Sequence, residues 1–189
     1  MPVTVIDPKP ALIIVDLQKG LLNAPTKPLP MAEVIDQAAR LARTFRANDL
    51  PVVLVNVEGS PPGRSEFGHS SAARPQGWAD LVDGLDAQPS DIRVTKNGWN
   101  AFHDTGLSTI LRGLGVTQVL LAGVATSVGV EGTARGALDY GYHVVLATDA
   151  MTDVDTDAHV NSVERIFPKL GETGTVSHIL ALIDGRPSA

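Results

Sequence analysis

Short apolar runs alternate along this chain with longer segments whose apolar residues recur at helical spacing. Residues 11–15 are wholly apolar and stop at Asp16, the pattern of a strand buried on both faces. Over 31–47, Val34, Ile35, Ala38, Leu41, Ala42 and Phe45 share one helical face. A second apolar run occupies 51–57. A third, 91–95, is shorter and more polar, as suits a strand near a sheet edge. Leu107, Ile110, Leu111 and Leu114 predict a helix over 104–114, with Gly115 as its stop. Residues 118–122 predict a buried strand, 127–140 a helix of small residues, and 143–148 another strand. A helix over 155–167, a short strand near 173–176 and a helix near 177–183 complete the series.

Strands separated by helices imply right-handed crossovers and a parallel sheet. The pattern therefore predicts a single-domain, three-layer α/β/α fold over 1–189 with a mostly parallel, Rossmann-like sheet. A mixed α+β fold is disfavoured, because at least four strands are continuous apolar runs without alternation. Ligands of open parallel sheets bind beyond the carboxyl ends of the strands. Asp16, Glu58, Lys96, the turn at Gly123 and Asp149 all fall at predicted strand ends. Residues 58–90 interrupt the rhythm. They are rich in proline and glycine and carry Arg64, Phe67, His69, Arg74 and Trp78. A connection this long reads as a lid-like insertion over the strand ends, with a loop of no particular role as the alternative.

Composition narrows the chemistry. Hydrophobic residues at 43% and charged residues at 19% are ordinary for one globular core. The chain has no cysteine, which removes disulfides, zinc–thiolate sites and a thiol nucleophile together. A net charge of −6 offers no basic face for phosphates, so no nucleic-acid partner is expected. No apolar run approaches the ~20 residues that cross a bilayer, and residues 1–10 lack the pattern of a secretory leader. A cytoplasmic protein without a membrane partner is the expectation. The histidines at 69, 103, 143, 159 and 178 show no metal-ligand spacing, so neither a metal nor another cofactor is expected.

The strand ends carry the candidate site. A carboxylate directly after a buried run is costly unless it is paired or reaches solvent. Asp16 alone reads as a turn or helix cap. Lys96, ending another strand, poses the same problem with the opposite sign, and an ion pair between the two solves both. A pair of that kind in a cleft is a functional-site candidate. The turn from Gly123 to Gly129 follows a strand and opens a helix, so its N–H groups suit an anion or oxyanion. Ordinary helix–sheet packing is the alternative there. It is not a P-loop, because Gly-Lys-Ser/Thr is absent.

Three ordered segments resemble the isochorismatase-like hydrolase superfamily. They are Ala-Leu-Ile-Ile-Val-Asp-Leu-Gln at 11–18, Val-Thr-Lys-Asn-Gly-Trp-Asn-Ala-Phe-His-Asp-Thr-Gly-Leu at 94–107, and Gly-Val-Ala-Thr-Ser-Val-Gly-Val-Glu-Gly-Thr-Ala-Arg at 123–135. Asp149-Ala150 and the helix from His159 to Phe167 are also similar. The likeness covers nearly the whole chain, least clearly through 58–90. It implies a six-stranded parallel sheet and Asp16 and Lys96 as catalytic residues. It also implies a cis peptide at Val124–Ala125 aiming N–H groups into the site, and a homodimer or higher homo-oligomer. Many family members, nicotinamidases and other amidohydrolases among them, have a nucleophilic cysteine where this chain has Gly129. The nicotinamidase metal pattern Asp-x-His is absent after Val57, where Glu58-Gly-Ser-Pro-Pro stands. True isochorismatases carry the glycine and cleave a vinyl ether to release pyruvate, but have Tyr-Ala-His in place of Ala125-Thr126-Ser127. The likeness is thus to a glycine-bearing branch without the thiol.

The resulting expectation is a hydrolase of a small-molecule substrate, with vinyl-ether cleavage by Asp16 as general acid and Gly129 making room for the enolpyruvyl group. Non-covalent amide, imide or ester hydrolysis, with Asp16 as base on water and Lys96 orienting it, is the alternative. A binding or assembly protein that kept the fold is a third reading. Substrate contacts are expected from Gln18, Glu58, Trp99, Phe102, Val124, Ala125, Thr126 and Ser127. Aromatic residues are more often core than pocket wall, and a helix-cap role explains both hydroxyls. Arg64 and Arg74 are placed to meet an anion or simply to be solvated. His159 reads as structural. Glu131 and Arg135, four apart, predict an ion pair on one helix face.

Overall fold

A computed structural model of the protein describes residues 1–65 and 74–185. Phe67 and His69 lie outside the described residues. The strands are β1 Pro10–Val15, β2 Val52–Val57, β3 Ile92–Lys96, β4 Gln118–Val124, β5 His143–Thr152 and β6 Glu172–Gly174. They form one six-stranded sheet in the order β3-β2-β1-β4-β5-β6, with every pairing parallel. The helices are α1 Met31–Ala47, α2 Leu107–Gly113, α3 Glu131–Asp139, α4 Thr156–Asn161, α5 Phe167–Leu170 and α6 Val176–Asp184.

Alternate residues of β1 explain the layering. Leu12 and Ile14 pack with Val34, Leu41 and Phe45 of α1 and with Ile179 and Ile183 of α6. Ala11, Ile13 and Val15 face the other way, onto Leu107 and Leu111 of α2, Ala134 and Ala137 of α3, and Phe167. Both faces are buried, so the strand has no polar alternation. Each large apolar side chain buried this way contributes roughly 1.5–3 kcal/mol.

Several boundaries differ from the sequence pattern, each for a local reason. The helix expected over 104–114 begins only at Leu107, because Asp104 (φ 54°) and Gly106 (φ 73°) adopt left-handed backbone. The helix expected over 127–140 opens as a wide π turn, Thr126–Val130, before α3 begins. A second wide turn, Ser162–Ile166, joins α4 to α5. The Asp155 carboxylate caps α4 by accepting from the N–H groups of Asp157 and Ala158. β5 continues to Thr152, past an irregularity in its pairing with β4. Asp149 therefore lies inside β5 rather than at its end. Its carboxylate accepts the Val176 N–H at 2.7 Å and anchors the start of α6.

Two features of the sheet matter below. At the carboxyl end β1 stops below both of its neighbours. Val15 is level with Val55 and Gly123, whereas β2 runs on to Val57, level with Lys96, and β4 to Val124. The end of β1 is thus a notch between taller neighbours. The outer edge of β6 is not bare: Pro2 bridges to Thr173, the Val3 N–H donates to the Thr173 carbonyl, and the Thr173 N–H donates to the Met1 carbonyl. The opposite edge, β3, points Arg93 and Thr95 into solvent, as its polar sequence predicts. None of the described helices is long and apolar enough to cross a membrane.

Candidate active site

Asp16 sits in the notch. Its φ of 55° is left-handed, a conformation aspartate tolerates better than most residues. Its N–H donates to the Val55 carbonyl, and its own carbonyl accepts from Gln18. Lys96, from β3, reaches across β2 and donates to Asp16 Oδ2 at 2.7 Å and to the Gly98 carbonyl at 2.8 Å. Both side chains are buried, Lys96 to 2% exposure and Asp16 to 8%. Asp16 Oδ1 has no hydrogen-bond partner among the described residues. Burial pushes the Asp16 carboxyl up to about 6, with the Lys96 ammonium pulling the other way and losing.

The turn after β4 forms the facing wall. Gly123 (φ 117°) lies so close to β1 that a Cβ there would stand 2.0 Å from the Val15 carbonyl oxygen. The Val124–Ala125 peptide is cis. The Ala125 carbonyl accepts from the N–H groups of Val128 and Val130. A Cβ on Gly129 would lie 3.1 Å from Asp16 Oδ2, 3.0 Å from the Val124 carbonyl oxygen and 3.0 Å from Val15 Cγ1.

A cavity of about 550 Å³ opens over this floor. Asp16, Lys96, Val124, Ala125, Val128 and Gly129 line its base, with Val57, Gly98 and Trp99 beside them. Gly59, Ser60, Pro61, Gly63, Arg64, Ser65, Arg74 and Trp78, all from the segment between β2 and β3, line its upper part. Among the described residues no group of three His, Asp or Glu side chains is arranged to hold a metal ion.

Five residues expected to touch substrate are not part of the lining. Glu58 is exposed, its N–H donating to the Lys96 carbonyl. Gln18 is buried and pins loops instead: its Oε1 accepts the Val57 N–H and its Nε2 donates to the Val57 and Trp78 carbonyls. Phe102 belongs to the core and packs on Tyr140 and Tyr142. Thr126 is fully buried, its Oγ1 2.9 Å from His159 Nδ1. The Ser127 N–H and Oγ–H both go to Asp153 Oδ2. His159 is buried behind the turn; burial lowers its pKa, with the Asp153 charge opposing. Glu131 pairs with Arg135 at 2.9 Å and also accepts the Ser162 hydroxyl.

The sequence pattern missed Asp153, which lines the cavity and fastens the turn through Ser127. The signal was the apolar pair Ala150-Met151, which carries β5 four residues beyond Thr148 and brings Asp153 to the site.

An α/β domain with an ion-paired carboxylate at the carboxyl end of a parallel sheet, under a largely apolar cavity, has the form of a small-molecule hydrolase. An isochorismatase-domain model matches residues 10–178. The chain is 36% identical over 176 residues to the uncharacterised isochorismatase family protein YecD of Escherichia coli O157:H7, covering 90% of this chain and 94% of that protein. It is 27% identical over 178 residues to maleamate amidohydrolase of Pseudomonas putida, covering 88% and 83% of the two. An isochorismatase family protein from Burkholderia thailandensis superposes with a TM-score of 0.91 at 35% identity, covering 95% of this chain and 98% of that one. The chain belongs to the isochorismatase family of hydrolases.

Proposed function

We propose that this hydrolase works without a covalent thiol intermediate, and that it cleaves a vinyl ether with Asp16 as the proton donor. The observation that carries the reading is the Asp16 carboxyl on the cavity floor, buried and pushed up to about 6. A general acid works best with a pKa near the working pH. In the proposed sequence the Asp16 proton goes to the terminal enol carbon. The C=C electron pair forms the new C–H bond and leaves an oxocarbenium ion. Water adds to that cation, the hemiketal C–O bond breaks, and a ketone and an alcohol leave. The ketone is pyruvate where the ether is an enolpyruvyl group. The proton released by the added water returns to Asp16. Lys96 stabilises the carboxylate in between, and the missing side chain at Gly129 leaves space directly over Asp16 Oδ2. The chain has no cysteine, so no thiol stands ready for an acyl intermediate.

A second reading is non-covalent amide hydrolysis, with Asp16 as general base on water. The likeness to maleamate amidohydrolase favours it, and Ala125 lines the cavity, where its N–H would serve as an oxyanion donor in this reading. The pH profile separates the two. An acid must be protonated, so vinyl-ether turnover falls as pH rises through about 6; a base must be ionised, so amide turnover falls as pH drops through the same point. Assays with isochorismate and maleamate on both sides of that pH, using the wild type, Asp16→Asn and Lys96→Ala, test the reading. Pyruvate release that declines with rising pH and drops roughly a hundredfold or more in Asp16→Asn is expected. Turnover unaffected by Asp16→Asn sinks it.

A further inference from the structure

A parallel ladder advances two residues per rung on each strand. Between β1 and β2 the Leu12 N–H donates to the Pro51 carbonyl, and four residues on along both strands the Asp16 N–H donates to the Val55 carbonyl. The next rung would join Val57 to the peptide groups of residues 16 and 18. The main chain does not make it. The left-handed turn at Asp16 sends the Gln18 N–H back to the Asp16 carbonyl at 2.9 Å. Residues 17–20 then pair with the returning segment instead. The Val82 N–H donates to the Leu17 carbonyl, the Lys19 N–H to the Asp80 carbonyl and the Gly20 N–H to the Trp78 carbonyl.

That departure leaves the N–H and carbonyl of Val57 without β1. The Glu58 N–H goes the other way, to the Lys96 carbonyl, so the Val57 groups face the vacated side. Peptide groups left without partners inside a fold are costly. The Gln18 side chain supplies both partners: Oε1 accepts the Val57 N–H at 2.8 Å, and Nε2 donates to the Val57 carbonyl at 3.1 Å. A primary amide carries the donor and acceptor of a peptide, and here it fills the missing rung. Nε2 also donates to the Trp78 carbonyl at 3.3 Å. Trp78 lines the cavity and holds the Arg74 guanidinium carbon 3.6 Å from its ring centroid. With Gln18 only 1% exposed, its amide answers to these protein groups rather than to solvent.

We infer that Gln18 is a positioning residue for Asp16: its side-chain amide stands in for the peptide that β1 withdraws, so the chain turns the Asp16 carboxyl onto the cavity floor without opening the sheet beside it. That Asp16 donates a proton rests on the vinyl-ether reading above; its placement by Gln18 does not. Without the rung, water enters between the end of β1 and β2, next to Asp16, and the burial that raises its carboxyl is relieved while Lys96 remains. Only certain side chains can replace the amide. Leucine fills the volume and offers neither group. Asparagine offers both but is one methylene short. A glutamic acid offers a C=O and an O–H while protonated, and loses the donor on ionising.

The test reads the Asp16 carboxyl by carbon-13 NMR titration, assigned against Asp16→Asn, and the exchange rate of the Val57 amide, both on the whole chain. In the wild type Asp16 titrates near 6 and the Val57 amide is protected. In Gln18→Leu and Gln18→Asn the Asp16 carboxyl is expected to fall to about 5 or lower and the Val57 amide to exchange about tenfold faster or more. Gln18→Glu is expected to match the wild type at low pH, where the introduced carboxyl is protonated, and to match Gln18→Leu once it ionises. An Asp16 titration that stays at the wild-type value in Gln18→Leu and Gln18→Asn, even in a less stable protein, overturns the inference and leaves Gln18 a packing residue. Should both variants fail to fold, the wild type and Gln18→Glu still decide: an unprotected wild-type Val57 amide, or a Gln18→Glu protein indifferent to its own ionisation, overturns it equally. Turnover of isochorismate separates the two readings. A wild type that leaves isochorismate intact while Asp16 shifts in Gln18→Leu removes only the vinyl-ether reading; turnover with an unmoved Asp16 removes only the role of Gln18.

Discussion

Asp16 and Lys96 meet as buried partners, yet the carboxyl is pushed up, to about 6. Burial acts on the charged form of Asp16 more strongly than one ammonium can offset. The sign for stability follows. Between the unfolded value of 3.8 and about 6, the folded chain holds the Asp16 proton and the unfolded chain does not. Stability from this group is therefore complete below pH 3.8 and lost as pH rises through 6, by roughly 3 kcal/mol for a shift of this size. Asp16→Asn, compared with wild type by urea unfolding across that window, is expected to lack this decline. Identical pH slopes in the two proteins contradict it. At this scale the sequence was informative, because a charge placed after a buried run needs a partner or solvent, and a second strand-end charge of opposite sign could supply the partner. Gln18, Thr126 and Ser127 were less legible. Their neighbourhood in the chain is the site, but their side chains are spent on Val57, His159 and Asp153, contacts across 39, 33 and 26 residues that no local pattern reveals.

The turn after β4 is where one element decides the shape of another. Gly123 and Gly129 look alike in the sequence, yet the structure gives them different tolerances. An added Cβ at Gly123 would run into the Val15 carbonyl at 2.0 Å from a φ that side chains avoid, whereas at Gly129 the nearest contacts are 3.0 Å or more. Gly123→Ala is therefore expected to lose about 3 kcal/mol or more of stability, or to fail to fold. Gly129→Cys is expected to lose about 1 kcal/mol and to carry a thiol that reacts with Ellman's reagent in the native state. Thermal melts and native thiol titration check both; equal losses, or a thiol silent until denaturation, contradict the assignment. Element boundaries were harder to read than element identities. α2 lost its first turn to the left-handed Asp104 and Gly106, and β5 gained four residues through an irregular stretch that hides its period. Both are backbone choices made by tertiary fit, which apolar spacing does not encode.

For the molecule as a whole, the cavity exists because strands of unequal reach share one direction. β1, the central strand by burial, ends two residues below β2, and the difference is the depth at which Asp16 lies. The parallel order was readable from runs buried on both faces, but strand length relative to neighbours is a property of the assembled sheet. The segment between β2 and β3 was readable as a site element by its length and its arginines; that Arg74 stacks on Trp78 was not, since their spacing in the chain says nothing of stacking.

The pairing of residues 1–3 with β6 has a consequence for handling the protein. Those residues occupy backbone groups that would otherwise be free to recruit a strand from another molecule. Val3, fully buried against Gly174, works as the peg that keeps the seam shut. Deletion of residues 1–3 is expected to leave the cavity untouched and yet make the protein clump at high concentration, visible as a rising scattering signal. A purification tag joined there risks the same stickiness, and a dispersed deletion variant would show that the seam is dispensable.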